Sequence, residues 1–387
     1  MALLGAANSV HTRKWAVTLA ERGHRVVVTS WVAADPIPGV DLRVAPYANS
    51  ARRGSAGAVV RLVLTGWWMR REVRRTRPDV LHVHSLGMAG LFSLLIPRVG
   101  TRVVTPWGSE LRVAARSKLR GSVVRAALRR ADVVLPTSAA VTKELVDRYQ
   151  VPVERTDTIS WGVDDRFGEI RDDVRPDDVR RRHGIPLDAT VLFSARSAGP
   201  VYRTEEILTA YDRAVAHRPD LHLVLLVGQR PAETSAAQAQ RRCLDAAARL
   251  ATARPGRVTV VDRTLTPVEV FTLMCASDVM ISVPRWDQRS STVLEAALAG
   301  CRLLLADLPA YHEMVSDGLT AEIVGEPLTD RLSEKLLTVR RSDAREQRQN
   351  RQFIETSESW SRQVGAVQRW YLALTGRQVA TAVDTPA

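Results

Sequence analysis

The sequence predicts an α/β protein of two tandem Rossmann-like, doubly wound halves with a helix at the end that returns to the first half. Three observations predict this. The 387 residues are too many for one ordinary core and suit two domains of roughly 150 to 200 residues. Short apolar runs alternate with helical patterns along nearly the whole chain, as parallel α/β layers require. The alternation breaks once, in the Asp- and Arg-rich stretch WGVDDRFGEIRDDVRPDDVRRRHGIPL (161–187), and then restarts.

In the first half the expected strands are Ala2–Leu4, Arg25–Thr29, Leu42–Ala45, Val80–Val83, Arg102–Thr105, Val133–Pro136 and Thr158–Ser160. Helices fill the gaps, notably His11–Arg22, Gly57–Thr76 and Val141–Tyr149. The first strand starts directly after Met1 and is short, so the native start is expected a few residues upstream. In the second half the strands are Val191–Ser194, Leu221–Val227, Val258–Val261, Val279–Val283, Leu303–Ala306 and Glu322–Val324, with helices opening near Thr204, Ser235, Pro267, Ser291 and Pro309. The charged break holds a linker and a short helix at Pro176–His183. Beyond Leu332 the pattern is helical. Ser357 and Glu358 precede Trp360, Val364, Val367, Tyr371 and Leu374, a capping signal followed by one apolar face that can close on the first half. The expected division is therefore 1–163, a linker at 164–188, 189–355, a closing helix at 356–376 and a disordered tail at 377–387.

Composition narrows the class. With 45% hydrophobic and 25% charged residues the chain is globular. Cys243, Cys275 and Cys301 lie far apart without CxxC or Cys/His ligand spacing, which indicates neither a disulfide framework nor a structural zinc site and suits a reducing cytoplasm. The N-terminus lacks the basic region and long apolar core of a signal peptide. The longest uncharged run, Val80 to Pro97, contains two histidines, two glycines and a proline and fits a buried strand and short helix better than a membrane span. The net charge of +13 is uneven: residues 1–150 carry 24 Lys and Arg against 9 Asp and Glu, whereas the rest is close to balanced.

The most informative stretch is Asp287-Gln-Arg-Ser-Ser-Thr-Val-Leu-Glu295, followed by AALAG. A helix opening at Ser290 to Thr292 offers unpaired N–H groups and the positive end of its dipole to an anion. Glu295, one turn in, suits a ribose diol, and Asp287 on the preceding loop suits sugar hydroxyls. A strand, a polar loop and a helix with an early Glu are also ordinary features of any doubly wound domain. At the start of the second half, Arg196-Ser-Ala-Gly-Pro-Val-Tyr-Arg203 sets two guanidiniums around a Gly-Pro loop at a strand's carboxyl end, which suits a diphosphate clamp or a solvated basic loop. In the first half, Gly5 permits a tight strand-to-helix turn, and Asn8 or Ser9 can cap the helix that starts near His11. That mouth lies at the carboxyl end of a central strand, where doubly wound sheets bind ligands. His82 and His84 share a strand face without an obvious third ligand, so packed histidines are preferred to a metal site.

Taken in order, RSAGPVYR, LVLLVG, VTVVDRTLTPVEVFTLMCASDVMISVPRWDQRSSTVLEAALAG and LLLADLPAYHEMVSDGLTAEIV resemble the retaining glycosyltransferases of family 4, which have the GT-B architecture of two Rossmann-like domains with a cleft between them. NSVHTRKWAVTLAERGH, PDVLHVHS, ADVVLPTSAAVTKEL and WGVDDRF are similar to the same family. The resemblance implies an NDP-sugar donor, UDP- or GDP-linked, with no further cofactor and no bound metal. It implies that Asp287 and Arg196 serve catalysis, that Arg196, Arg203, Ser290, Ser291, Thr292, Glu295 and Gly5 hold the nucleotide diphosphate, and that Asn8, His11, Trp107 and Asp287 meet sugar or acceptor. Two departures stand out: Asp287 where relatives carry Glu, and Trp107 where many carry His.

The resemblance also implies that the first half takes the acceptor. Its basic amphipathic segments, Trp67 to Arg75 and Arg112 to Arg130, suit an anionic membrane surface and a lipid-linked acceptor at the inner face of the plasma membrane, or else a solvated basic face. A nucleic-acid binder would leave Asp287 and Glu295 without a role. A sugar-nucleotide epimerase of like architecture and a non-catalytic partner subunit remain the alternatives.

Overall fold

Strand order places the functional loops, because ligands of open α/β sheets sit outside the carboxyl ends of strands where the winding direction reverses. The computed structural model describes residues 1–47, 56–228 and 234–376. It contains two parallel sheets of six strands. The first comprises β1 (Ala2–Leu4), β2 (Val27–Ser30), β3 (Asp41–Val44), β4 (Val80–His84), β5 (Thr101–Thr105) and β6 (Val133–Val134), in the order β3-β2-β1-β4-β5-β6. The second comprises β7 (Thr190–Ser194), β8 (Leu221–Leu226), β9 (Val258–Val261), β10 (Val279–Ser282), β11 (Arg302–Ala306) and β12 (Glu322–Val324), in the order β12-β11-β10-β7-β8-β9. Both are doubly wound. The winding reverses between β1 and β4 in one sheet and between β7 and β10 in the other.

The central strands read as near-continuous apolar runs because helices cover both sheet faces. In the second sheet Leu192, Phe193, Leu223 to Leu225 and Leu303 to Leu305 are buried in one cluster. In the first, Leu4, Leu81, Val83 and Val104 do the same.

The chain divides into one unit of Met1–Ser160 with Gln363–Ala387 and a second of Trp161–Arg362. The last helix, Trp360–Thr375, thus returns to the first unit, where Val364, Val367 and Tyr371 are buried. Its docking is polar as well: the Tyr371 hydroxyl lies 2.5 Å from Nδ1 of buried His82, whose Nε2 meets the Thr105 hydroxyl at 2.7 Å. Ser357 and Glu358 lie inside a further helical turn ahead of this helix. A π-turn spans Ile354–Glu358, and Asp165 accepts from Ser361 N at 2.9 Å.

One expected strand is absent. Thr158–Ser160 runs beside β6 with backbone bonds from Asp157 N to Val134 O and Ile159 N to Pro136 O, but pairs only as an isolated bridge at Thr156. Pro136 has no N–H with which to continue the ladder. The expected tail at 377–387 lies outside the described residues.

The charged break anchors the second unit from below. Helix Pro176–Arg182 buries Arg180, which donates to Asp278 at 3.0 Å and to the carbonyl oxygens of Ala276, Leu187 and Ala189. Asp278 also accepts from Val191 N at 2.7 Å, so the pair fixes the entry of β7 beside that of β10. Removing one partner of a buried pair strands the other. Asp278→Ala is expected to lower unfolding stability by about 3 to 5 kcal/mol, read by denaturant titration; a loss below about 1 kcal/mol would show that the pair does not hold this junction.

Candidate functional site

The second switch point gathers the strongest chemistry. β7 ends at Ser194 and leads to Arg196; β10 ends at Ser282 and leads to Asp287 and Ser290. Because these strands are neighbours, two loops more than 80 residues apart in sequence meet. The Arg196 guanidinium pairs with Asp287 Oδ2 at 2.9 Å and donates to Ser290 Oγ at 2.5 Å and to the Tyr202 hydroxyl at 3.0 Å, while its charge lies over the Tyr202 ring at 4.6 Å. Burial works against this charge, but the Asp287 carboxylate and the oxygens of Tyr202 and Tyr311 outweigh it and hold the Arg196 pKa above its ordinary value.

Asp287 is held equally firmly. Its Oδ2 accepts from the Tyr311 hydroxyl at 3.0 Å and its Oδ1 from Gln288 N at 2.9 Å. Tyr311 lies 3.0 Å from the Ser282 hydroxyl at the end of β10, and burial followed by the Asp287 charge raises its pKa well above the phenol range. It therefore acts here as a neutral donor.

Ser290 is the N-cap of helix Ser291–Ala299, yet its side chain makes no capping bond. Its hydroxyl is taken by Arg196 instead. Of the helix, Val293, Leu294 and Ala296 to Ala299 are buried, whereas Ser291, Thr292 and Glu295 stay partly accessible. That accessible stripe joins the first turn to Glu295, which lies four residues after Ser291 and so on the same face. No acidic side chain occupies the first turn, leaving its dipole open to an outside anion.

Two further features fix the loops. Gly228, with φ +70°, sits where an added Cβ would lie 2.7 Å from Ser197 Cα, so the loop after β8 presses on the loop after β7. Arg289, between Asp287 and Ser290, is buried and bonds Glu358 at 2.5 Å and 2.9 Å, Asp317 at 2.6 Å and Glu313 at 3.3 Å. It pins the Asp287 loop to the π-turn near the chain's end.

Arg203 is placed differently from the expected clamp. All its guanidinium nitrogens go to carboxylates, with Glu206 at 2.7 Å and 3.0 Å and Glu326 at 2.5 Å and 3.1 Å. Glu206 first, then Glu326, keep its pKa raised. The structure joins Arg196, Asp287 and Ser290 but gives Arg203 to this separate acidic cluster. Tyr202, Tyr311, Ser282 and Arg289 were not picked out by the sequence, since none of these residue types signals a site by spacing.

The first switch point holds the remaining candidates. A Cβ on Gly5 would lie 3.1 Å from Thr12 Oγ1 and 3.2 Å from His84 Cβ, so glycine lets β1 end close against β4 and the following helix. That helix, Val10–Glu21, is capped by position at Ser9, whose side chain makes no capping bond, and Asn8 is exposed. His11 packs edge-on to Trp107 at 5.5 Å. Glu110 aligns this corner by accepting from Trp107 N at 2.7 Å and Leu86 N at 2.9 Å, which ties the loops after β5 and β4. His82 and His84 are buried 4.5 Å apart with Trp15 beside both, and among the described residues no group of three ligating side chains could hold a metal ion.

Residues 9–167 match the model of Glycosyltransferase Family 4. A D-inositol 3-phosphate glycosyltransferase from Nocardioides sp. is 26% identical over 267 residues, an alignment that spans 64% of this chain and 56% of that relative. Among solved structures, a sucrose-phosphate synthase from Thermosynechococcus elongatus superposes with a TM-score of 0.78 at 16% identity, over 97% of this chain and 98% of its own. HepE of Anabaena, in complex with UDP and glucose, gives 0.73 at 15% identity over 96% and 99%. The fold is GT-B.

Buried His82 and His84, with half-buried His11, are expected to make the first unit acid-sensitive. Burial, then the neighbouring Lys14, brings His11 down to about 4; burial, then His11, brings His84 down to about 3; and His82 is lowered well below its ordinary value. A histidine so depressed stabilises the fold fully above its unfolded pKa of about 6.5, and this is lost as pH falls toward the folded value, because the unfolded chain takes up the proton first. Unfolding stability is expected to fall between pH 7 and 4 by up to about 1.4 kcal/mol per pH unit for each such histidine. His84→Gln should flatten that slope; an unchanged slope would remove His84 from it.

Proposed function

We propose that this chain is a glycosyltransferase of family 4 that transfers a sugar from a nucleoside-diphosphate sugar to an acceptor hydroxyl. The observation that carries the reading is the meeting of Arg196, Asp287 and Ser290 at the switch point of the second sheet, beside an open helix N-terminus. Guanidinium and N–H groups suit a diphosphate, and carboxylates suit sugar and ribose hydroxyls.

On this reading the diphosphate lies on the first turn of helix Ser291–Ala299, bonded to the backbone and hydroxyls of Ser290, Ser291 and Thr292. Glu295 accepts from the ribose. Arg196 leaves Asp287 for the phosphate oxygens, and Asp287, still steadied by Tyr311, turns to the donor-sugar hydroxyls. The anomeric carbon to phosphate-oxygen bond breaks with oxocarbenium character, the acceptor oxygen attacks from the same face, and its proton passes to the departing diphosphate. Configuration is retained. The charge that develops on the leaving group is countered by Arg196 and the helix N-terminus, so protein groups do the work assigned elsewhere to a metal. Arg203 steadies the loop through Glu206 and Glu326 in place of a direct phosphate contact.

Asn8, His11 and Trp107 form the acceptor side. The excess positive charge of residues 1–150 supports an anionic or membrane-proximal acceptor. UDP- and GDP-sugars are the expected donors.

Donor binding is read by thermal shift across UDP-, GDP- and dTDP-sugars, where a bound ligand raises stability by mass action. Asp287→Asn should cut transfer at least about 100-fold while donor binding survives; full activity in that variant would take Asp287 out of the mechanism. Donor consumed without any acceptor would point to an epimerase, and no donor binding to a non-catalytic partner subunit.

A further inference from the structure

Helix Ala56–Thr76 carries two apolar faces, one more than packing requires. Its inner face is satisfied: Thr65, Met69 and Val73 are buried, and Gly66 lies so close to Leu95 that an added Cβ would come within 2.3 Å of its Cδ1. On the other side, Val59, Val60, Val63, Leu64 and Trp67 are exposed by 63, 58, 60, 38 and 59%. Their three- and four-residue spacing makes one stripe. The same stripe continues into Arg70, Arg71 and Arg74, all exposed.

The cationic end is shaped as well as charged. Trp67 and Arg70, Arg71, Arg74 and Arg75 line a notch of about 300 Å³, with the Arg71 guanidinium 5.9 Å from the Trp67 ring. Arg70 spends one bond on Leu95 O and Arg75 one on Glu72, while Arg74 has no hydrogen-bond or ion-pair partner among the described residues. Over a length of about 31 Å the outward face thus changes from apolar to cationic. A helix apolar on both sides needs a second apolar medium, and the arginine notch selects an anionic one.

The second basic segment is different. In helices Ser109–Ala115 and Lys118–Arg129, Leu111, Val124, Ala127 and Leu128 face the core, so their arginines flank only Val113 and Leu119 as exposed large apolar residues. The sequence offered both segments alike, and the structure separates them.

We propose that helix Ala56–Thr76 docks the protein on an anionic lipid bilayer, with Val59, Val60, Val63, Leu64 and Trp67 entering the interface and the arginine notch receiving a lipid phosphate. This deepens the reading of a membrane-proximal acceptor and rests on it for its purpose. Chemically, the partner is a bilayer bearing anionic phosphodiester headgroups.

Vesicle co-sedimentation of the full chain tests it, with phosphatidylcholine alone and with added phosphatidylglycerol. The wild type should sediment with the second and not the first. Val63→Asp, and separately Val59→Asp, should weaken partition at least about 10-fold, and Arg70→Gln with Arg71→Gln and Arg74→Gln roughly 100-fold, with the thermal midpoint and donor affinity unchanged in each. Binding that ignores phosphatidylglycerol, or variants that bind like the wild type, would overturn the proposal. So would a lipid-free dimer that Val63→Asp converts to monomer, since the stripe would then belong to a second copy. Donor titration on the same samples keeps the two readings apart: vesicle binding without donor binding retains this proposal and removes the catalytic one.

Discussion

The ion pair between Arg196 and Asp287 is the contact on which the candidate site depends. It exists only because β7 and β10 are neighbours at the point where the winding reverses, so that loops distant in sequence end side by side. Such a pair costs desolvation on both sides, and here hydrogen bonds offset it: Tyr202 and Ser290 on the guanidinium, Tyr311 and the Gln288 amide on the carboxylate. The surroundings hold both charges ready. On the proposed reading, a diphosphate that takes Arg196 would replace one anion with another.

Those loops are stiff for reasons that lie outside the pair. Arg289 is locked by three carboxylates beside Asp287, and Gly228 lets the neighbouring loop close on Ser197. At the far end of the sheet, Arg180 and Asp278 fix where β7 and β10 begin. The same two strands are thus held at both ends. In the first unit the equivalent corner is built from depressed histidines, a tryptophan and a glycine, with Glu110 holding the backbone of Trp107 and Leu86, so it is sterically tight and has no buried ion pair like that of Arg196 and Asp287 among the described contacts.

Much of this was legible in the sequence because it depends on local pattern. Apolar runs bounded by turns located the twelve observed strands, and the hydroxyl run after Asp287 located the helix start at Ser291. What escaped was tertiary. Thr158–Ser160 has strand-like composition, yet Pro136 on its neighbour cannot extend the ladder. The acidic partners of Arg203 were also not legible: Glu206 lies one turn on, and Glu326 is brought in by the fold. Tyr311 matters through what it touches, which no spacing rule announces, and Glu358, read as part of a capping signal, pairs with Arg289 instead. The double-faced helix Ala56–Thr76 was visible as basic and aromatic, whereas its exposed apolar stripe required knowing which side faces the core.

Calorimetric titration of UDP and GDP into the wild type and Arg196→Gln tests the central claim most directly. If Arg196 is the diphosphate ligand at the helix N-terminus, the wild type binds one of these nucleotides and the variant binds it at least about 10-fold more weakly, the loss of a charge-assisted hydrogen bond. Equal affinity in the two proteins would contradict the assignment of the second switch point as the donor site.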